Sequence, residues 1–302
     1  MIRHRSPAPA MGEWALLGVP LYTLSNYRGM GDAPGALREA GLARVYESRT
    51  DLGDVEIPPL KEDLTEGRIV NLLHFRDATS RIFAATKSLK QGPVLIVGGE
   101  CSETVGAMAG LAEAYGGKPG MLWLDAHGDF NVPDTSPSGY IGGMCLAMAC
   151  GMTPGLDLGI GQAPPPIAGE RLVHVGSRAL DPAEVAAFNS SPAKLFTAQQ
   201  VKKTGAAEVA EEAARHLDNR SDWIACHLDV DVVDPEFIPS VNYPTSGGLT
   251  MAETSIIIGR LFGTGKLRVI ELAAYNPSKD GTAASARRTV QLLGSVLASI
   301  QK

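Results

Sequence analysis

The segment GMLWLDAHGDFN, residues 120–131, decides the fold of this chain. Its apolar half, MLWL, is typical of a strand that is buried on both faces, as strands of parallel sheets are. Asp125, His127 and Asp129 follow at every second residue, so an extended chain would direct all three side chains to one face. Open α/β sheets bind their ligands at the carboxyl ends of their strands. The segment therefore predicts a parallel strand that ends in a metal site; the alternative is an acidic turn with a capping aspartate.

A second acidic segment, HLDVDVVDP at residues 227–235, favours the metal site over the turn. It follows the apolar run WIAC and again places acids at alternate positions, Asp229 and Asp231. Carboxylates grouped in this way would repel one another and raise one another's pKa, a cost that bound cations remove. Together the two segments offer five ligands, of which four are carboxylates. This set suits two divalent ions such as Mn²⁺ better than one tetrahedral Zn²⁺.

Apolar runs alternate with helical patterns along the whole chain. The strands are predicted at residues 13–22, 93–100, 120–126, 171–177, 193–198, 222–230 and 266–275, and the helices at 79–89, 102–116, 181–189, 206–218, 251–263 and 282–301. Such alternation predicts one α/β domain with three layers, α/β/α, around a mainly parallel sheet. We assign this domain to residues 13–302. Residues 1–12 carry basic side chains without an apolar run, so they are predicted to be a flexible leader and not a secretion signal.

Composition excludes several classes of partner. The 302 residues carry a net charge of −6, which argues against binding to nucleic acid. No apolar run approaches the ~20 residues that span a bilayer, so no membrane partner is expected. The four cysteines follow no zinc-finger spacing, and reduced thiols and a cytoplasmic location are expected.

A third motif connects these observations to a known family. VLIVGGECSETVG, residues 94–106, predicts a strand, a Gly-Gly turn and a helix. The motifs GGEC, DAHGD and DVDVVDP stand in the order of the ureohydrolase motifs Gly-Gly-Asp-His, Asp-Ala-His-x-Asp and Asp-x-Asp-x-x-Asp-Pro. The chain thus resembles the family of arginase, agmatinase and formiminoglutamase over nearly its whole length. This resemblance implies about eight strands, a small amino-acid-like substrate and a homo-oligomer, either a trimer or a hexamer.

The resemblance also implies the chemistry of the site. Two ions share a hydroxide that attacks a planar carbon flanked by nitrogens. Asp125 and Asp229 would bridge the ions, Cys101 and Asp129 would complete one of them, and His127 and Asp231 the other. His127 and Asp129 would thereby support the hydroxide.

Cys101 departs from the family, which has histidine at this position. A thiolate would shift the preferred ion from Mn²⁺ towards Zn²⁺, Fe²⁺, Co²⁺ or Ni²⁺. The alternative is that Cys101 is a buried thiol without a metal.

The substrate-binding positions match the family at one end of the substrate and depart from it at the other. Asn131, Ser138, Asp181 and Glu184 stand where arginases hold the amino-acid head, although all four could be loop and helix-cap residues. Gly142 replaces the histidine that assists proton transfer, Ala274 replaces the glutamate that contacts the guanidinium, and Tyr243 replaces a small hydroxyl. A guanidinium left without an anion would lose several kcal/mol of binding. The resemblance therefore predicts a hydrolase of amidine or guanidino C–N bonds for which arginine is a poor substrate.

His227 is a further candidate residue of the site. His227 precedes Asp229 on the same strand face and could orient a ligand carboxylate from behind; the alternative is a histidine bonded within the sheet.

Two alternative functions stay open. The departures at Cys101, Gly142 and Ala274 also allow a non-catalytic relative of the ureohydrolases. An amide hydrolase on the same fold is the third hypothesis.

Overall fold

Eight strands form one sheet in the computed structural model, which describes residues 14–45, 50–63, 68–89, 92–161, 163 and 165–298. The predicted leader at residues 1–12 lies outside the described residues. The strands are β1 (Ala15–Val19), β2 (Thr50–Asp54), β3 (Val94–Gly98), β4 (Pro119–Leu124), β5 (Leu172–Val175), β6 (Lys194–Phe196), β7 (Trp223–Asp229) and β8 (Leu267–Ala273).

The strand order brings the three sequence motifs together. The order is β2-β1-β3-β8-β7-β4-β5-β6, and every pair of neighbours is parallel. All carboxyl ends therefore lie along one edge of the sheet. Strands β3, β7 and β4, which precede the three motifs, all lie in the inner part of this order. The predicted parallel α/β architecture is confirmed.

Helices cover both faces of the sheet. They are α1 (Ala33–Glu39), α2 (Leu42–Val45), α3 (Leu72–Lys87), α4 (Thr104–Tyr115), α5 (Cys145–Ala149), α6 (Pro182–Ser190), α7 (Ala198–Thr204), α8 (Ala206–Asp218), α9 (Met251–Phe262) and α10 (Ala284–Ala298). One apolar core joins the sheet to α1, α2 and α7–α10, and a second core joins it to α3–α6. These two cores give the three predicted layers. In the described part of the chain, none of these helices is long and apolar enough to cross a membrane.

The sequence patterns missed strand β2 and several short helices. All five residues of β2, TDLGD, are exposed, so the strand lacks the apolar signal that marks the others. It lies at the edge of the sheet, where Arg38 of α1 forms ion pairs with Asp51 and Asp54. Helix α3 begins at Leu72, well before the predicted start at residue 79.

Candidate active site

The DAHGD motif forms a loop and not a continued strand. Strand β4 ends at Leu124, immediately before Asp125. Asp129 has a φ of 49°, in the left-handed region. The prediction that the three side chains converge because they alternate along an extended strand is therefore wrong. The turn instead separates Asp129 from Asp125 and His127, so the three side chains supply two different groups of ligand atoms.

Asp125, His127 and Asp231 form the first group, whose ligand atoms all lie within 4.8 Å of one another. His127 Nδ1 is 3.3 Å from Asp125 Oδ1 and 3.2 Å from Asp231 Oδ2. Burial lowers the pKa of His127, but the charge of Asp231 and the hydrogen bond and charge of Asp125 outweigh it and raise the pKa to about 12. The two carboxylates thus attract positive charge strongly, as a cation site requires.

Cys101, Asp129 and Cys145 form the second group, again with all ligand atoms within 4.8 Å of one another. Cys101 lies in the turn after β3, and Cys145 is the first residue of α5. The backbone N–H groups of Leu146 and Ala147 donate to Asp129 O, which fixes the start of α5 against the DAHGD loop. The sequence interpretation included Cys101 and Asp129 but missed Cys145.

Asp229 ends β7 and lines the same cavity as both groups. Burial, followed by the charges of Asp231 and Asp125, raises the pKa of Asp229 well above its usual value. Burial and the charge of Asp125 likewise raise the pKa of Asp129. Cations would offset this repulsion, so the donor atoms fit the divalent ions that the sequence predicted.

Trp123 and His227 lie behind the first group. The indole Nε1 of Trp123 donates to Asp125 Oδ2 at 3.1 Å, and the His227 ring stacks on the indole with centroids 3.7 Å apart. His227 Nδ1 is 2.7 Å from Glu271 Oε2. The ring nitrogen of His227 thus contacts Glu271 and, at 3.3 Å, the Thr104 hydroxyl. Its contact with the acidic site passes through Trp123, which the sequence interpretation did not include.

Arg178 holds the second acidic segment in place. Its guanidinium donates to the carbonyl oxygens of Asp231 at 2.7 Å, Val232 at 3.2 Å and Thr245 at 2.7 Å. These bonds fix the turn that presents Asp231. The sequence contains no pattern that marks this role, because the carbonyl oxygens come from distant segments.

A cavity of about 480 Å³ opens above both groups of ligands. Its lining includes every residue that the sequence assigned to substrate binding and the acidic side chains at the strand ends: Asn131, Ser138, Asp181, Glu184, Tyr243, Asp129, Asp229 and Asp231. Cys101, His127 and Ala274 line it as well. The sequence motifs thus meet at one concave site, the usual form of a small-molecule site.

Asp181 and Glu184 have a structural role in addition to lining the cavity. They form the capping box of α6, and Glu184 accepts the backbone N–H groups of Asp181 and Phe130, each at 2.9 Å. Asn131 Nδ2 donates to Asp181 Oδ2 at 2.9 Å. The helix-cap alternative raised by the sequence therefore holds for this pair, and it ties the α6 N-terminus to the cavity wall.

Tyr140 occupies the space beside Gly142. A Cβ added at Gly142 would lie 2.7 Å from the Tyr140 hydroxyl oxygen and closer still to the ring. This hydroxyl donates to Glu100 Oε2 at 3.1 Å. The ring thus fills the volume that a side chain at residue 142 would need, and the sequence interpretation did not foresee this.

This crowding predicts a stability difference between two neighbouring glycines. Gly142→Ala should destabilise the protein by about 1–3 kcal/mol, since overpacking forces the ring away from Glu100. Gly143→Ala is the control, because a Cβ there meets no atom within 4 Å, and it should stay within about 0.5 kcal/mol of wild type. Urea denaturation of the three proteins measures the free energies of unfolding. Equal values for the two variants would contradict the packing.

Comparison with known proteins agrees with the motif order. A model of the arginase family matches residues 12–299. The arginase of Bacillus caldovelox is 33% identical over 290 residues, covering 93% of this chain and 97% of that protein. Its crystal structure superposes with a TM-score of 0.88 at 32% identity, covering 95% of this chain and 98% of that one. The arginase of Bacillus subtilis strain 168 is 30% identical, covering 94% and 97%. The resemblance inferred from the three motifs is thus confirmed, and the chain belongs to the arginase family.

Proposed function

We propose that this chain hydrolyses a linear C–N bond in the amidine or guanidino group of an amino-acid-like small molecule, with two divalent ions. The observation that carries the proposal is the meeting of two groups of ligand atoms, each with members that line one cavity: His127 and Asp231 of the first group, and Cys101 and Asp129 of the second. Membership of the arginase family supports the same reaction class.

The chain's own residues would hold the ions in two neighbouring positions. Asp125, His127 and Asp231 would bind one ion and Cys101 with Asp129 the other, with Asp229 and Asp125 shared between them. Mn²⁺ is the first candidate, and Zn²⁺, Fe²⁺, Co²⁺ or Ni²⁺ are alternatives because of the Cys101 thiol. When bound, such a pair supplies a water of lowered pKa and stabilises charge at the attacked carbon.

The cavity wall around α6 would hold the head of the substrate. Asn131 and Ser138 offer an amide and a hydroxyl for a carboxylate, and Asp181 offers carboxylate oxygen to an α-amino group. Glu184 would act mainly by fixing Asp181, because both of its oxygens accept backbone N–H groups. Tyr243, which is 47% exposed, would form the rim of the cavity.

The tail of the substrate would meet a different environment. Ala274 lines the cavity where the family's glutamate contacts the guanidinium. Glu271 does not compensate, since its carboxylate bonds His227 and Thr104 behind the sheet edge. A tail that is less strongly cationic than a guanidinium, such as a hydroxyguanidino or formimino group, would lose less from the missing anion.

Tyr140 would replace the proton-transfer histidine of the family. Burial, followed by the charge of Glu100, raises the pKa of Tyr140 well above its usual value, so the hydroxyl keeps its proton at neutral pH. Its one proton is donated to Glu100, so the hydroxyl would donate to a substrate nitrogen beside Gly142 only after the substrate displaces that bond. Because a raised pKa makes the phenol a weaker acid, its proton transfer would contribute less than the about 10²–10⁴-fold of a well-matched general acid.

A substrate panel tests the proposal. The protein loaded with Mn²⁺ or Zn²⁺ is assayed on arginine, agmatine, hydroxyarginine, formiminoglutamate and guanidino acids, with urea and ammonia measured separately. We expect hydroxyarginine or formiminoglutamate to exceed arginine in kcat/KM, and protein stripped by a chelator to be inactive. Rapid hydrolysis of arginine or agmatine would overturn the substrate assignment. No activity on any of these substrates from a fully metal-loaded protein would instead favour the non-catalytic relative or the amide hydrolase.

The cytoplasmic location, predicted from the cysteines, and the homo-oligomer, a trimer or hexamer predicted from the family resemblance, both stay predictions.

A further inference from the structure

We infer that Cys145 is a metal ligand, and that Cys101, Cys145 and Asp129 form a two-thiolate, one-carboxylate site that selects a thiophilic ion such as Zn²⁺. The other half of the centre, with Asp125, His127 and Asp231, then takes a harder ion such as Mn²⁺. The inference rests on the proposed function in one respect, that the cavity binds two ions.

Proximity is the first support. The sulfur atoms of Cys101 and Cys145 and a carboxylate oxygen of Asp129 lie within 4.8 Å of one another, and Cys145 Sγ is 3.5 Å from Asp129 Oδ2. Donor atoms about 2.0–2.3 Å from a shared ion in tetrahedral geometry are roughly 3.3–3.8 Å apart. Side-chain shifts of about 1 Å or less would therefore bring all three donors onto one ion.

Contacts with the backbone limit the movement of both cysteines. Cys101 lies in the turn after β3, where its Sγ contacts the Gly142 carbonyl oxygen at 3.7 Å. Cys145 is fixed because the backbone N–H of Leu146 donates to Asp129 O at 3.1 Å. The same loop thus carries Asp129 and anchors the helix that presents Cys145, so the donors are positioned before an ion arrives.

The chemistry of the two donor sets separates the ions. Thiolates favour borderline and soft ions such as Zn²⁺, whereas carboxylates suit Mn²⁺. Cys101, Cys145 and Asp129 would be the ligands that the Zn²⁺ ion does not share, and Asp229 and Asp125 would complete the two positions together. The first set has one imidazole and two carboxylates, and the second has two sulfurs and one carboxylate. One chain therefore offers two sites of different softness.

Cobalt spectroscopy tests the inference without using activity. The protein is stripped with a chelator and reloaded with Co²⁺ under a phosphine reductant, which keeps the thiols reduced and adds no sulfur donor of its own. We expect a sulfur-to-cobalt charge-transfer band in the near ultraviolet. Its intensity should fall by about half in Cys145→Ser and in Cys101→Ser and vanish in the double variant. Cys150→Ser and Cys226→Ser are matched controls and should keep the full band. A full band in Cys145→Ser would overturn the inference.

X-ray absorption spectroscopy of zinc bound to the wild-type chain tests the same inference without any variant, so misfolding of a variant cannot affect the result. After one equivalent of Zn²⁺ per chain, followed by an excess of Mn²⁺, elemental analysis should give one of each ion per chain, because the limited zinc goes to the thiolate site first. X-ray absorption at the zinc edge should then count two sulfur neighbours at about 2.3 Å. One sulfur neighbour, or none, would overturn the role of Cys145 while leaving the proposed function intact. A chain that binds no ion at all would overturn the proposed function itself.

Discussion

Asp229→Ala is expected to remove both metal ions and to lower kcat by about 10⁴-fold or more, as the loss of one member of a catalytic unit does. Asp229 lines the cavity floor beside Asp231, and the charges of Asp231, Asp125 and Asp129 all raise its pKa. The Asp229 carboxylate thus interacts electrostatically with acids of both groups of ligands. Elemental analysis after loading measures the ions, and Glu236→Ala, an exposed acid of the same segment, is the control that should keep them.

Thermal denaturation separates the loss of ions from misfolding. With ions at 100 to 1,000 times their Kd, the wild type should gain about 3–4 kcal/mol per bound ion over its metal-free form. The alanine variant should gain almost nothing. Without ions, the variant should be at least as stable as the wild type, because removing one buried carboxylate relieves repulsion. Two retained ions in Asp229→Ala would refute its shared position.

Ala274→Glu is expected to raise kcat/KM for arginine by about 10²–10³-fold over Ala274→Gln. A carboxylate at this cavity position would pair with the guanidinium, and leaving a buried charge without its partner costs about 3–5 kcal/mol. Glutamine has almost the same size and no charge, so it controls for packing. It also controls for backbone strain, because residue 274 has a φ of 64° in the left-handed region.

Steady-state kinetics on arginine and on an uncharged or weakly charged analogue measure the effect. The gain should be confined to the cationic substrate, since the added charge acts on the tail alone. Similar kcat/KM values for the glutamate and glutamine variants would show that the missing anion does not limit arginine hydrolysis.

The fold could be predicted from sequence where burial leaves an apolar run. Strands β4 and β7 are buried throughout, and each appears in the sequence as such a run. Strand β2 lies at the sheet edge with all five residues exposed, so its formation depends on pairing with β1 and on the ion pairs of Arg38. Pairing between distant segments leaves no local pattern, which is why the sequence analysis missed this strand.

The acidic ligands were predictable for a similar reason. The ligands lie at or just after the ends of two apolar strands, so the topology of a parallel sheet brings them to one edge. They are Asp125, His127, Asp129, Asp229 and Asp231. Tyr140 reaches the cavity, and Cys145 reaches Asp129, through the turns between residues 131 and 144. Their positions depend on contacts such as the bond from Leu146 N to Asp129 O, and spacing along the chain does not encode those contacts.

The competition between Tyr140 and residue 142 for one volume restricts how this chain could acquire the family's histidine. A Gly142→His change alone would drive the new side chain into the tyrosine ring, because even a Cβ lies 2.7 Å from the phenol oxygen. Shortening the tyrosine alone would leave an empty space and an acid, Glu100, without one of its donors. Each single step costs stability, and the two together restore a filled site. The two residues are therefore coupled, and a mutational library that varies residues 140 and 142 jointly avoids the destabilised single variants.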